Sequence, residues 1–318
     1  MKKLTIALIV LVSMSVWAGT SFSFRTGTTA FDFLRLPVGG AHMATGGTSL
    51  ASIDTALAGL INPSRLDELG NFDIRAGSID WILDTGYQYA AIAKRISDDL
   101  GVLSVVVRSF DYGEFEYTKP WGYEVDPSED GETFSGNALA ATLGWGKQLT
   151  KNFAFGASAS YVYETLEEYM IDSMFFNIGF TYENEEYLKG LRIAFSAENF
   201  GNNVQYFEDS DALTLPLVMK YGLLWDVFQA GKNKFVLEFN AAQYKDQDMY
   251  GSLSLTYIFN SMVYFYTGYT TNTVFSPFSA GLGLKVRVGR TFWDIVAAYN
   301  TTEHFGGKVT IEAGAMIF

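Results

Sequence analysis

The feature that most constrains the fold is a two-residue period of hydrophobicity that recurs along most of the chain. Within residues 152–164, Phe153 and Phe155 fall on one parity, whereas Ser158 and Ser160 fall on the other. Because successive side chains of a strand point to opposite faces of a sheet, this pattern predicts strands with one apolar face and one small or polar face. The same alternation is found in residues 192–198, 234–241, 252–260 and 281–288.

The composition narrows the class of β protein. The 318 residues include 26 Phe, 19 Tyr, 6 Trp and 31 Gly, but only 6 Pro. After the first 18 residues no run of 18 or more apolar residues occurs, so a transmembrane helix is not available. These properties are typical of an all-β membrane protein, an antiparallel outer-membrane β-barrel, rather than of a cytosolic α/β enzyme. A soluble all-β protein is the alternative that alternation alone leaves open.

Counting the alternating segments predicts about 14 strands in residues 70–318. The predicted strands are residues 71–81, 86–96, 100–111, 133–149, 152–164, 169–183, 189–200, 215–228, 233–244, 249–260, 261–271, 276–289, 291–301 and 306–318. With both chain ends on the periplasmic side, the connections alternate between short inner turns and longer outer loops, as barrels of this kind require. Residues 112–132 and 201–214 are the two longest connections, and both fall in the outer set.

The first 23 residues have the pattern of a secretory signal peptide. Lys2 and Lys3 precede an apolar run at residues 4–12, and small residues at 16–18 or 21–23 offer a cleavage site. The predicted organisation is therefore a signal peptide at residues 1–23, an N-terminal hatch at residues 24–69 and a transmembrane barrel at residues 70–318. The predicted location is the outer membrane, where the apolar strand faces contact lipid.

Residues 24–69 do not alternate and contain Gly39-Gly40, Gly46-Gly47 and Asn62-Pro63. A barrel of this size has a lumen that side chains of its own wall do not fill, so we expect this segment to fold into the lumen as a hatch. Arg35, Arg65 and Asp54 of the hatch are then expected either to pair with lumen charges or to contribute to a hydrated interior. The candidate lumen charges are Arg192, Glu198, Glu238, Asp294 and Glu312.

The hatch sequence resembles a known family. Residues 33–47 contain Phe33, Leu36 and Pro37 followed by Gly46-Gly47, and Asn62-Pro63 comes at the expected distance further along. This opening is similar to that of the PorV/PorQ family, and residues 215–222 resemble a later strand opening of the same family. Ala41, where the family usually has Arg, departs from the pattern. The resemblance implies a FadL-like barrel of fourteen strands with an N-terminal lumen hatch.

The resemblance also implies a role beside the type IX secretion system, in which the protein docks secreted cargo or a surface-complex protein through its extracellular loops. The loop at residues 112–132 is the main candidate because aromatic residues rimmed by charge suit protein interfaces. The candidate docking residues are Tyr112, Phe115, Tyr117, Trp121 and Tyr123. Membership of an aromatic girdle at the membrane surface is the alternative for the same residues.

A second hypothesis is FadL-like transport of a hydrophobic small molecule. It needs an apolar pocket between hatch and wall, and Phe31, Phe33, Leu34, Leu36 and Leu60 are the residues expected to line one or simply to pack the hatch. The possible ligand is then a hydrophobic molecule in the lumen. An open diffusion porin is disfavoured by the length of the hatch.

Other functional classes have little support in the sequence. The net charge of −13 gives no basic face for nucleic acid. The absence of Cys excludes disulfides and thiolate metal sites, and His42 and His304 are the only histidines. We therefore expect no enzymatic activity, no cofactor and no metal site.

Overall fold

The computed structural model of the chain describes residues 28–83, 85–116, 133–186, 189–206, 211–271, 277–302 and 305–317. Its main feature is a closed barrel of fourteen strands in which each strand pairs with its sequence neighbours, all antiparallel. The first strand closes the barrel by pairing with the last, from Phe72↔Ile317 to Asp80↔Val309. The predicted count of fourteen and the predicted fold class are confirmed.

The strand boundaries lie close to the predicted ones. The strands are β1 (Phe72–Asp80), β2 (Gly86–Ser97), β3 (Gly101–Glu116), β4 (Thr133–Thr150), β5 (Phe153–Leu166), β6 (Tyr169–Glu183), β7 (Leu191–Gly201), β8 (Val218–Ala230), β9 (Asn233–Tyr244), β10 (Tyr250–Phe259), β11 (Val263–Thr270), β12 (Phe278–Val288), β13 (Thr291–Asn300) and β14 (Lys308–Ile317). The largest difference is at β3, which runs five residues beyond its predicted end.

The alternation sorts side chains as the sequence predicts. On β10, Leu253 and Leu255 are 52% and 37% exposed, whereas Ser252 and Ser254 are 4% and 3% exposed. The same contrast holds on β5, where Tyr161 is exposed and Ser158 is buried. The outer surface of the barrel therefore carries apolar side chains over all its strands, as expected of a wall that faces lipid.

The two ends of the barrel differ in their connections. At one end, which we call the turn end, β4–β5, β8–β9 and β12–β13 are each joined by two residues. At the other, which we call the loop end, residues 117–132 and 202–217 form the two longest connections. Tyr112 and Phe115 were expected in a loop but belong to β3, because the β3–β4 ladder resumes after a bulge and continues to Glu116↔Thr133.

Residues 28–69, which we call the lumen segment, lie inside the barrel. The segment contains a 3₁₀ turn (Asp32–Arg35), α1 (Gly40–Ala44), α2 (Ala58–Ile61) and a second 3₁₀ helix (Pro63–Glu68). Helix α1 packs against β11–β14, whereas the second 3₁₀ helix packs against β3–β6, across the lumen from α1. The segment therefore bridges the lumen, and its apolar side chains form one core with the inward-facing residues of the strands.

Candidate functional site

The wall of the barrel has a trough that receives the Asn62-Pro63 motif. Gly146, Gly156 and Gly179 are directly opposite one another on β4, β5 and β6. A Cβ atom at any of these glycines would overlap with atoms of Asn62 or Pro63. The backbone of the lumen segment therefore lies against bare wall backbone, and larger residues at these positions would displace it.

The carboxamide of Asn62 is used both as a donor and as an acceptor within the lumen segment. Its Nδ2 donates to the Leu50 carbonyl at 2.9 Å, and its Oδ1 accepts from the Ser64 hydroxyl at 2.7 Å. Asn62 Oδ1 also accepts from the Ser64 backbone amide at 3.3 Å and so caps the second 3₁₀ helix, while Pro63 occupies its first position, where a missing N–H costs nothing. The Ser64 hydroxyl also lies 2.7 Å from that of Thr181 on β6, which ties the helix to the wall.

Three carboxylates of the wall hold backbone amides of the lumen segment. The amides of Gly40, Ala51 and Ala56 donate to Glu312 at 3.0 Å, Glu238 at 2.7 Å and Asp73 at 2.6 Å, respectively. The three carboxylates lie on β14, β9 and β1 and are all buried. These three hydrogen bonds fasten the segment to the wall at separate points.

Gly46-Gly47 forms a tight left-handed turn after α1. Both residues have positive φ angles, 67° and 77°, which side chains with a Cβ rarely adopt. The amide of Gly47 returns to the His42 carbonyl at 2.8 Å, and the Gly46 carbonyl accepts from the Thr270 hydroxyl of β11 at 2.9 Å. The glycine pair therefore ends the helix and attaches it to the wall.

The ion pairs of the lumen differ from the predicted ones. Arg35 pairs with Asp32 and with Asp246, which follows β9, and not with the predicted lumen carboxylates. Arg65 pairs with Glu68 of its own helix, and Glu68 in turn lies 3.5 Å from Arg192 of β7. The expected partners Glu238 and Glu312 instead accept hydrogen bonds from backbone amides of the lumen segment.

A cavity of about 590 Å³ lies between the lumen segment and the loop end of the barrel. Phe33, Leu34, Leu36 and Leu60 line it, as the transport hypothesis requires, whereas Phe31 packs into the core without reaching the cavity. Pro37 and Gly46-Gly47 also border the cavity, so five of the seven residues of the motif that resembles PorV/PorQ meet there. Its volume falls in the range of small-molecule binding sites in proteins.

The wall side of the cavity is more polar, and of its three charged residues only Glu198 was among the lumen charges expected from the sequence. Arg108 of β3, Glu198 of β7 and Lys220 of β8 line it, and Lys220 pairs with Glu198 at 2.7 Å. Their inward direction follows from strand parity, since Arg108 shares the parity of Val106 and Phe110. Parity does not reveal which inward charges meet, because that depends on barrel closure and on the path of the lumen segment.

His42 lies at the edge of the cavity as a neutral, buried side chain. Burial, with a smaller contribution from Lys220, lowers the pKa of His42 from its ordinary value of 6.5 to about 3. Its Nδ1 lies 2.6 Å from the hydroxyl of Ser49, which is buried and outside the cavity lining. The pair orients the imidazole. His304 lies outside the described residues. Within the described residues, no group of three or more acidic or histidine side chains is arranged to bind a metal ion.

The predicted docking residues are only partly within the described chain. Tyr112 donates to Glu164 at 2.8 Å and lines the cavity, so it faces the lumen and not the surroundings. Phe115 is 41% exposed and stacks on Phe134, with ring centroids 5.3 Å apart. Tyr117, Trp121 and Tyr123 lie outside the described residues.

Comparison with known proteins identifies the fold but no sequence family. No protein-family model matches the chain, and no curated protein sequence matches it. Across the described parts of the chain, every helix is too short or too polar to cross a membrane.

Several solved structures share the whole architecture. The toluene transporter TodX of Pseudomonas putida superposes with a TM-score of 0.60 at 12% identity, covering 89% of this chain and 99% of TodX. The toluene transporter TbuX of Ralstonia pickettii superposes with a TM-score of 0.58 at 11% identity, covering 91% of this chain and 100% of TbuX. A FadL homologue of Pseudomonas aeruginosa superposes with a TM-score of 0.54 at 8% identity, covering 89% of this chain and 98% of the homologue. The chain therefore has the fold of the FadL-type outer-membrane barrels.

Proposed function

We propose that this protein is an outer-membrane barrel that binds a hydrophobic small molecule and passes it through its lumen. The observation that carries the proposal is the cavity between the lumen segment and the loop end, with Phe33, Leu34, Leu36 and Leu60 on one side. A fastened segment closes the lumen to free diffusion, while the cavity provides a binding site on one side of it. The fold similarity to toluene transporters supports the same function.

The orientation and processing of the chain form part of this proposal. Residues 1–23 act as a cleaved signal peptide, the loop end faces the outside of the cell, and the lumen segment acts as the hatch. A ligand then reaches the cavity first and meets the lumen segment second. Passage requires a local rearrangement of the segment, since it bridges the lumen from β11–β14 to β3–β6.

Binding of naphthalene by the full-length protein in lipid nanodiscs tests the proposal. Equilibrium dialysis of radiolabelled naphthalene against protein-containing and empty nanodiscs separates binding from partition into lipid. Leu36→Asn places a carboxamide in the cavity lining and should lower the bound fraction several-fold. Leu149→Asn, at an exposed position near the turn end, is the matched control and should bind normally. Equal uptake by protein-containing and empty nanodiscs would refute a binding site for neutral hydrophobic molecules.

A second candidate function is docking of secreted cargo or a surface protein, as the resemblance to PorV/PorQ implies. The hatch motif and the stack of the exposed Phe115 on the half-buried Phe134 at the loop end support it. The fold similarity to transporters favours small-molecule passage over docking. Purification from native outer membranes in mild detergent, followed by mass spectrometry, distinguishes the two. A stoichiometric protein partner that is lost in the Phe115→Ser variant would establish docking.

A further inference from the structure

Among the residues that the structure describes, Arg108 is a buried cation without an ion-pair partner. Its residue is 2% exposed, and its Nε and Nη2 have no hydrogen-bond acceptor among the residues that the structure describes. The remaining nitrogen, Nη1, lies 3.5 Å from the hydroxyl of Tyr87, a marginal distance for a hydrogen bond. A buried guanidinium that lacks acceptors is costly to the fold, so such a group is a candidate for ligand binding.

The other cations that line the cavity are neutralised within the protein. Arg35 pairs with Asp32 and Asp246, and Lys220 pairs with Glu198. The lining thus carries three cationic residues against two anionic ones, with His42 neutral. Asp246 supplies a third carboxylate behind the lining, but Arg35 engages it together with Asp32, and Lys220 engages Glu198, so Arg108 is the cation left without an ion pair among the described residues.

The geometry of the free nitrogens selects the kind of anion. Nε and Nη2 form one edge of the planar guanidinium, and their two N–H bonds point in the same direction. This edge matches the two oxygens of a carboxylate, with which it forms two parallel hydrogen bonds once the Arg108 side chain turns toward the cavity that it lines, since both nitrogens are enclosed by the protein.

The surroundings of this edge are aromatic. The Cζ of Arg108 lies 5.9 Å from the ring centroid of Phe33. Phe33 stacks with Phe110 at 6.1 Å, and Phe110 meets Tyr112 edge to face at 4.8 Å. All three rings line the cavity. Rigid rings at these spacings favour another flat ring, through offset or edge contacts, more than a flexible alkyl chain.

We propose that the cavity selects an aromatic carboxylate, with Arg108 holding the carboxylate and Phe33, Phe110 and Tyr112 contacting the ring. This inference rests on the proposed function and narrows its ligand class. Arg108 is then the residue that determines specificity, since it separates an aromatic acid from a neutral aromatic molecule of the same shape.

Calorimetric titration of the full-length protein in nanodiscs at neutral pH tests this selection with three probes. These are 4-ethylbenzoate, 4-ethylbenzamide, which has the same shape without the charge, and octanoate, which has the charge without the ring. We expect 4-ethylbenzoate to bind at least tenfold more tightly than either of the others. Equal affinity for the benzoate and the benzamide would overturn the role of Arg108, and octanoate binding as tightly as the benzoate would overturn the aromatic preference.

Variants assign the selection to Arg108. Arg108→Gln should abolish the preference for the benzoate over the benzamide, and Arg108→Lys, which keeps the charge without the paired N–H edge, should retain only part of it. Arg287→Gln removes an exposed charge near the turn end and should leave the preference unchanged. A preference that persists in Arg108→Gln would refute the assignment. If neither naphthalene nor any of these three probes binds to the wild-type protein, the proposed function itself fails.

Discussion

At Gly156 the backbone of the barrel wall comes into direct contact with Pro63 of the lumen segment. We expect Gly156→Ala to lower the free energy of unfolding by about 1–3 kcal/mol, since the added Cβ overlaps with backbone atoms that have no free space. Gly251→Ala in β10 is the matched control, because its nearest contact would be at an ordinary 3.6 Å. Thermal unfolding in detergent, followed by heat-modified gel mobility, compares the two. Equal stability would show that Pro63 is not seated against the wall.

His42 makes a prediction about pH. Its pKa is about 3 in the folded protein, mainly because of burial, compared with 6.5 when unfolded. Between these values the unfolded state binds more protons, so the free energy of unfolding falls as the pH decreases from about 6.5. His42→Gln removes this contribution. From pH 6.5 to about 5, the wild-type protein should lose about 1–2 kcal/mol more than the variant in urea unfolding. Parallel pH profiles would show that the imidazole is not buried in its neutral form.

Along each strand, side chains alternate between the outward and the inward face, and substitutions in β10 test this alternation. Leu255→Lys, on the outward face, should cost about 2–4 kcal/mol near the middle of the membrane, whereas Leu149→Lys near the turn end should cost about 0–1 kcal/mol. Ser254→Ala, on the inward face, loses only one hydroxyl contact to the Thr48 carbonyl at 3.4 Å. It should cost less than about 1 kcal/mol. Equal costs for the two lysine variants would contradict a lipid-facing wall.

The sequence could predict the strands better than the contacts of the lumen segment. The strands of the barrel, and the side on which Ser254 and Leu255 lie, follow from a two-residue period that depends on local geometry alone. The end of β3 was less predictable, since a bulge lets the ladder continue to Glu116.

The contacts of the lumen segment depend on long-range placement. Glu312 binds the amide of Gly40, 272 residues away, and Arg35 reaches Asp246, 211 residues away. Neither contact leaves a periodic signal in the sequence. The hatch residues around Pro37 could be located by resemblance, but the unpaired Arg108 could not, because its isolation depends on which carboxylates the other cations occupy.

At the scale of the whole molecule, the lumen segment and the wall should be separable. The described wall closes on itself through the pairing of β1 with β14, so it does not need the segment to complete its hydrogen bonds. Deleting residues 28–69 should therefore leave a barrel that inserts into planar bilayers but conducts ions several-fold better than the full chain. Asn62→Ala, which removes the side-chain bonds to Leu50, Ser64 and Thr181, should give brief openings on a closed baseline. An unchanged conductance after the deletion would mean that other parts of the chain close the lumen, and the segment would then be a lining of the binding cavity and not its barrier.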